Sequence, residues 1–191
     1  MREVIGERSP GSGYGEKVKD IAASAVCTPC GQFGILACSD GVLAAGFADH
    51  PEQLIPLIYP ALHDIRLRYS STHPAAVAIQ DYFDGDLLAP ATLPVIQSAS
   101  SFTKSVWHAL LSIPPGNTMS YSSIARLCSI PNAYRAVGNA CARNPAALFI
   151  PCHRVVPSSG TVGRYAYGEE RKSWLLRHEG ALLAKSSIWH A

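Results

Sequence analysis

No apolar run in the 191 residues approaches the roughly 20 that a helix needs to cross a bilayer. The first ten, MREVIGERSP, carry charges where an export signal needs an apolar stretch. No membrane partner is expected, and the expected compartment is the cytoplasm, or the nucleus in a eukaryote. Without an export signal the six cysteines read as reduced thiols rather than a disulfide framework. No second cysteine or histidine pair follows Cys27-x-x-Cys30 at zinc-site spacing, and its second cysteine sits in a turn, so the motif is weak ground for metal or redox chemistry. Charged residues make up only 16%, against 48% hydrophobic, which is enough apolar material for a core that needs no covalent staples.

What charge there is lies unevenly. Residues 1–101 hold 6 basic and 11 acidic side chains, and residues 102–191 hold 10 and 3, so a net +2 conceals a positive C-terminal half. That asymmetry points to an anionic partner for that half, with a solvated basic face as the plain alternative.

Residues 1–20 are rich in Gly, Ser and charge and read as a flexible lead-in. From Ile21, short apolar segments separated by Thr-Pro-Cys-Gly and Ser-Asp-Gly predict an antiparallel meander. Helical segments follow over 51–68, broken by prolines, and over 74–83; Gly85 and Pro90 to Pro94 then mark a linker. The expected organisation is an N-terminal α/β domain at 21–95 and a mostly helical domain at 96–191. In the latter, SFTKSVWHALLSI opens on helix-capping residues and repeats apolar Phe102, Val106, Leu110 and Ile113 at helical spacing. SYSSIARLCSIPNAYRAVGNACARN reads as a short helix, a four-residue turn and a second helix from about Asn132, the spacing of a helix-turn-helix. On that second helix Ala133, Ala136, Val137, Ala140 and Cys141 share one face, and Asn132, Arg135, Asn139 and Arg143 the other. Its small side chains suit either a slim helix in a DNA minor groove, about 6 Å wide, or a tightly packed core helix.

The stretch AALFIPCHRVVPSSG sets one cysteine, Cys152, in an apolar run beside His153 and Arg154. Neighbouring positive charge favours the thiolate, which is the nucleophilic form. Glu179 ends a helix predicted over 169–179, where the helix dipole disfavours an anion, so it needs a cationic or proton-donating partner: His153 or a surface base.

IPCHRV at 150–155, RAVGNACARNP at 135–145, SYSSIA at 120–125, and GTVGRYAYG and LLRHEG downstream resemble, in order and spacing, the O6-alkylguanine-DNA alkyltransferase family. Correspondence is good over about residues 100–180 and looser before. The resemblance implies an α/β fold: a small ribonuclease-H-like N-terminal region with an antiparallel sheet, then a mostly helical domain with a helix-turn-helix. It implies single-use transfer of an alkyl group from guanine O6, and of thymine O4 as a further substrate, to Cys152. It assigns proton removal through a water to His153, orientation of His153 to Glu179, and hydrogen-bond donation to guanine N3 to Tyr121. Arg135 matches an arginine finger that replaces the extruded base; Thr103, Ser122 and Ser158 match phosphate contacts; and Asn144 matches the brace of the turn before the cysteine. Val155, Tyr165 and the backbone of Ala166 match the guanine pocket. The partner implied is double-stranded DNA containing O6-alkylguanine, bound by a monomer without cofactor. Two departures stand out: Ala147 where some members have proline, and Tyr167 where some have glycine. A bulkier wall predicts a preference for methyl and poor inactivation by O6-benzylguanine. The zinc-ligand pattern of some members is not reproduced, since only Cys38 falls at a suitable place, so no metal is expected. Two rival readings are a cysteine hydrolase using Cys152 and His153, and a DNA-binding regulator that performs no transfer.

Overall fold

A computed structural model describes residues 20–58 and 65–181. The expected lead-in therefore lies almost wholly outside the described residues. Internal contacts divide the chain into two units: the described residues up to Ala99 together with Pro145–Phe149, and Ser100–Asn144 together with the described residues from Ile150. No described helix is long and apolar enough to cross a membrane.

The first unit holds β1 (Asp20–Thr28), β2 (Gly31–Cys38), β3 (Gly41–Phe47) and β4 (Arg66–Tyr69) in the order β3-β2-β1-β4. The meander appears as predicted, β1 and β2 pairing antiparallel with Thr28 opposite Gly31, and β2 pairing antiparallel with β3. Thr28 Oγ1 donates to Gly31 O at 2.6 Å and accepts from the Cys30 N–H at 3.2 Å. Cys27-x-x-Cys30 is thus the corner of a hairpin.

Two expectations fail here. The sheet is mixed, because β4 runs parallel to β1 with Ile21 opposite Leu67. The helix expected over 51–68 is instead a 3-10 helix at Pro51–Leu57 followed, after residues outside the description, by strand β4. Pro56 lies inside that 3-10 segment, where a proline has no N–H to carry an α-helix on. Arg66-Leu67-Arg68-Tyr69 alternates in the manner of an edge strand, its arginines exposed and Arg68 Nε 3.0 Å from Asp20 Oδ1. Helix α1 (Pro74–Phe83) starts where proline is tolerated, its N-cap His73 Nδ1 accepting from the Ala75 N–H at 3.2 Å. Ile21, Leu36, Leu43, Leu54 and Ile58 form the core of this unit.

The second unit is mostly helical: α2 (Ser101–Leu111), α3 (Tyr121–Leu127), α4 (Tyr134–Ala142) and α5 (Glu169–His178), with a short parallel pair β5 (Met119–Ser120) and β6 (Val155–Val156). Ser100 caps α2, accepting from the Thr103 N–H, and Ser120 caps α3, accepting from the Ser123 N–H. Val106, Trp107 and Leu110 are buried, and Trp107 Nε1 donates to Ala140 O at 3.1 Å, tying α2 to α4. The link between α3 and α4 is six residues rather than four, since Pro131 and Asn132 remain in the turn and α4 starts at Tyr134. The faces of α4 divide as predicted: Val137 and Ala140 are buried, while Arg135, Asn139 and Arg143 are exposed.

Candidate active site

Asn144 follows the C-terminus of α4, and its Nδ2 donates both to Ile150 O at 2.7 Å and to Cys152 Sγ at 3.1 Å. One amide therefore holds the approach to the cysteine and points a proton donor at its sulfur. Cys152 opens a single 3-10 turn, Cys152–Arg154, and is 7% exposed. Burial pushes its thiol pKa upward; the Asn144 hydrogen bond and the charge of Lys172 act the other way.

His153 is wholly buried, and its Nε2 lies 2.9 Å from Glu179 Oε1. Burial lowers the imidazole pKa, so the ring is neutral near pH 7, with Nε2–H donating to the carboxylate and Nδ1 left as an acceptor. That Nδ1 is buried and has no hydrogen-bond partner among the described residues. Glu179 is the C-cap of α5, one residue beyond the helix predicted to include it. Arg154 supplies the counter-charge, Nε to Oε2 at 2.9 Å and Nη2 to Oε1 at 2.8 Å, while Nη1 donates to Ile113 O at 2.6 Å. Burial alone would raise the Glu179 pKa, but the bonds from His153 and Arg154 outweigh it and hold the carboxyl at about 2. Arg154 was expected to lend its charge to the sulfur; the guanidinium is instead committed to Glu179.

Lys172 was missed from sequence. It is 1% exposed, and its Nζ donates to Val155 O at 2.6 Å. Burial lowers its pKa to about 8. The signal existed: Lys172, Leu175, Leu176 and Glu179 fall at i, i+3, i+4 and i+7, the buried stripe of α5, where a lysine has no reason to be unless something there needs its charge.

Cys152 lies on the wall of a cleft of about 750 Å³. Tyr121, Arg135, Tyr165 and Ala166 line it as well, together with Tyr134, Cys141 and Arg164, and among the described residues no carboxylate does. Tyr121 is the first residue of α3, and burial raises its hydroxyl to about 12, so it remains a proton donor at neutral pH. Arg135 is exposed, with Cζ 5.8 Å from the ring centroid of Tyr134.

Other predicted residues stand elsewhere. Val155 is wholly buried in β6 and is not part of the cleft wall; its carbonyl receives the Lys172 ammonium. Thr103 and Ser122 bond to the caps of their own helices, with hydroxyl–hydroxyl distances of 3.0 Å to Ser100 and 2.9 Å to Ser120. Ser158 is exposed in the turn after β6, next to Pro157, which lines the cleft. Tyr167 does not line the cleft but sets its ring edge-on to Tyr165, centroids 5.4 Å apart. Ala147 is wholly buried in the Pro145–Phe149 segment, its N–H donating to Ala45 O at 2.8 Å. His178 is half-buried and stacked on Trp174, the ring centroids 4.9 Å apart. Among the described residues no group of three or more His, Cys, Asp and Glu side chains is arranged to hold a metal ion.

Residues 101–181 match the family model described as 6-O-methylguanine DNA methyltransferase, DNA binding domain. Over 139 residues the chain is 42% identical to a methylated-DNA–protein-cysteine methyltransferase of Salmonella typhimurium, covering 72% of this chain and 80% of that one. A protein of the same name from Shigella flexneri is 36% identical over 167 residues, covering 83% and 95%. Among solved structures, the Mycobacterium tuberculosis protein OGT in complex with DNA superposes with a TM-score of 0.66 at 26% identity, over 83% of this chain and 92% of that one. With a buried, amide-bonded cysteine on an open basic cleft and matches that run through most of both chains, this chain belongs to the methylated-DNA–protein-cysteine methyltransferase family.

Proposed function

We propose that this protein repairs DNA by direct reversal, moving an alkyl group, methyl above all, from O6 of guanine to Sγ of Cys152. One observation carries this reading: the sulfur sits on the wall of an open, carboxylate-free cleft while receiving a proton donor from Asn144, 3.1 Å away. The reaction is a displacement at saturated carbon, for which a soft thiolate is suited. The S–H proton passes through a water to Nδ1 of His153, whose opposite nitrogen is held by Glu179 at 2.9 Å. The sulfur lone pair forms the S–C bond, the C–O6 bond breaks, and its electron pair goes to the purine. Tyr121 donates toward guanine N3 as that charge develops. Lys172 and Asn144 favour the thiolate over the thiol. The product is a thioether, which water does not cleave, so each molecule reacts once.

The target carbon lies inside a duplex, so the nucleotide must leave the stack. Helix α4 enters the minor groove of double-stranded DNA as the second helix of a helix-turn-helix, Arg135 taking the place of the extruded base. Thr103, Ser122 and Ser158 contact phosphates at the edge of the site, and Tyr165 with the backbone of Ala166 surrounds the guanine. A monomer suffices, in the cytoplasm, with neither cofactor nor metal. O4 of thymine presents the same alkyl–oxygen bond and is a second substrate.

Incubation with a duplex holding one O6-methylguanine, followed by intact mass, tests this. One added methyl per protein, mapped to Cys152 and absent in Cys152→Ala, is the expected result. Release of product over many turnovers belongs to a cysteine hydrolase, and binding without any mass change belongs to a DNA-binding regulator; either one overturns the proposal.

A further inference from the structure

Helix α4 begins with two large side chains, Tyr134 and Arg135, and continues through Ala136, Gly138, Ala140 and Ala142. The bulk of a slim helix is thus gathered at one end. Tyr134 is 50% exposed, and Arg135 Cζ stands over its ring, 5.8 Å from the centroid. Both line the cleft that holds Cys152, and among the described residues that cleft carries no carboxylate. An exposed aromatic face coupled to a guanidinium, on a surface free of negative charge, has the chemistry that receives nucleobases: bases stack on tyrosine rings and on guanidinium planes alike. Proteins that open the minor groove insert such bulky side chains between base steps. Packing within the protein does not account for the ring, because half of it faces solvent.

We propose that Tyr134 and Arg135 act as one wedge in duplex DNA, Arg135 filling the gap left by the extruded nucleotide and the Tyr134 ring stacking on the neighbouring base of the opened step. The inference rests on the transferase reading above and adds a residue to it. Tyr134 is a positioning residue: it holds the opened duplex and does not touch the alkyl carbon or the sulfur. Its ring does the stacking, and its hydroxyl is dispensable.

Single-turnover methyl uptake by Cys152 is followed by intact mass for the unaltered protein, Tyr134→Ala and Tyr134→Phe. Two substrates are used, O6-methylguanine within a duplex and O6-methylguanine as the free base, which needs no extrusion. Tyr134→Ala is expected to lower the ratio of duplex rate to free-base rate by about tenfold, and Tyr134→Phe to keep it within about twofold of the unaltered protein, in line with the worth of base–aromatic stacking. An unchanged ratio in Tyr134→Ala, or a Tyr134→Phe variant as impaired as the alanine variant, overturns the wedge and leaves methyl transfer standing. Failure of the unaltered protein to take a methyl group from either substrate overturns the transferase reading, and the wedge with it.

Discussion

Asn144 Nδ2 lies 3.1 Å from Sγ of Cys152 while also donating to Ile150 O at 2.7 Å. The same group that fixes the course of the chain before the cysteine therefore also stabilises negative charge on the sulfur. A hydrogen bond to a charged acceptor is worth about 1.5–3 kcal/mol. Asn144→Ala is expected to slow methyl uptake from an O6-methylguanine duplex by roughly 10- to 100-fold, read by intact mass against time. A rate within twofold of the unaltered protein would show that the sulfur does not depend on this amide.

Glu179 answers two buried donors, so its loss affects stability and chemistry together. Glu179→Gln leaves the Arg154 guanidinium buried without a counter-charge, which costs about 3–5 kcal/mol, measurable by urea unfolding at pH 7. In the intact protein the carboxyl titrates at about 2 against an ordinary 4.5. Between those values the unfolded chain binds more protons than the folded one, so stability present above pH 4.5 is lost as pH falls toward 2. At about 1.4 kcal/mol per pH unit the loss approaches about 3 kcal/mol. Urea midpoints from pH 5 to pH 2 should fall in the unaltered protein and stay flatter in Glu179→Gln.

Lys172 brings a positive charge near the sulfur from the buried face of α5. Lys172→Met keeps most of the volume and removes the charge. Alkylation of Cys152 by iodoacetamide, followed across pH by peptide mass, should then show its midpoint shifted upward and a rate at pH 7 reduced severalfold. The folded pKa of about 8 lies below the usual 10.5, so the unfolded chain binds more protons between the two and stability rises as pH climbs through that interval. Lys172→Met should remove that rise.

Tyr167 backs Tyr165, whose ring lines the cleft, and so stiffens the wall without touching the cleft itself. O6-benzylguanine should inactivate the protein at least about tenfold more slowly than O6-methylguanine in DNA, and Tyr167→Gly should narrow that difference by letting the Tyr165 ring give way. Comparable rates for the two agents in the unaltered protein would show that the wall accepts the larger group.

What was legible in advance was local. The Thr28 to Gly31 corner and the two faces of α4 each follow from a few adjacent residues and their backbone preferences, whereas the cap of α2 is Ser100, one residue before the stretch read as opening on capping residues. The errors arose where the outcome hung on distant chain. Arg66 to Tyr69 became a strand because β1 offered an open edge, and no property of those four residues alone distinguishes that from the end of a helix. Val155 looked like a wall residue from its place in the motif; a lysine 17 positions away occupies its carbonyl instead.

The family and the positive charge of the C-terminal half were determined by sequence, because motif order and charge are properties of the chain itself. Only the tertiary structure decided which groups neutralise Glu179, 25 and 26 residues from its partners, that Lys172 is buried near the sulfur, and that Tyr134 stands under Arg135 at the cleft. Those relations depend on how the helices pack, and a buried charge takes whichever donor the packed chain brings within hydrogen-bonding distance.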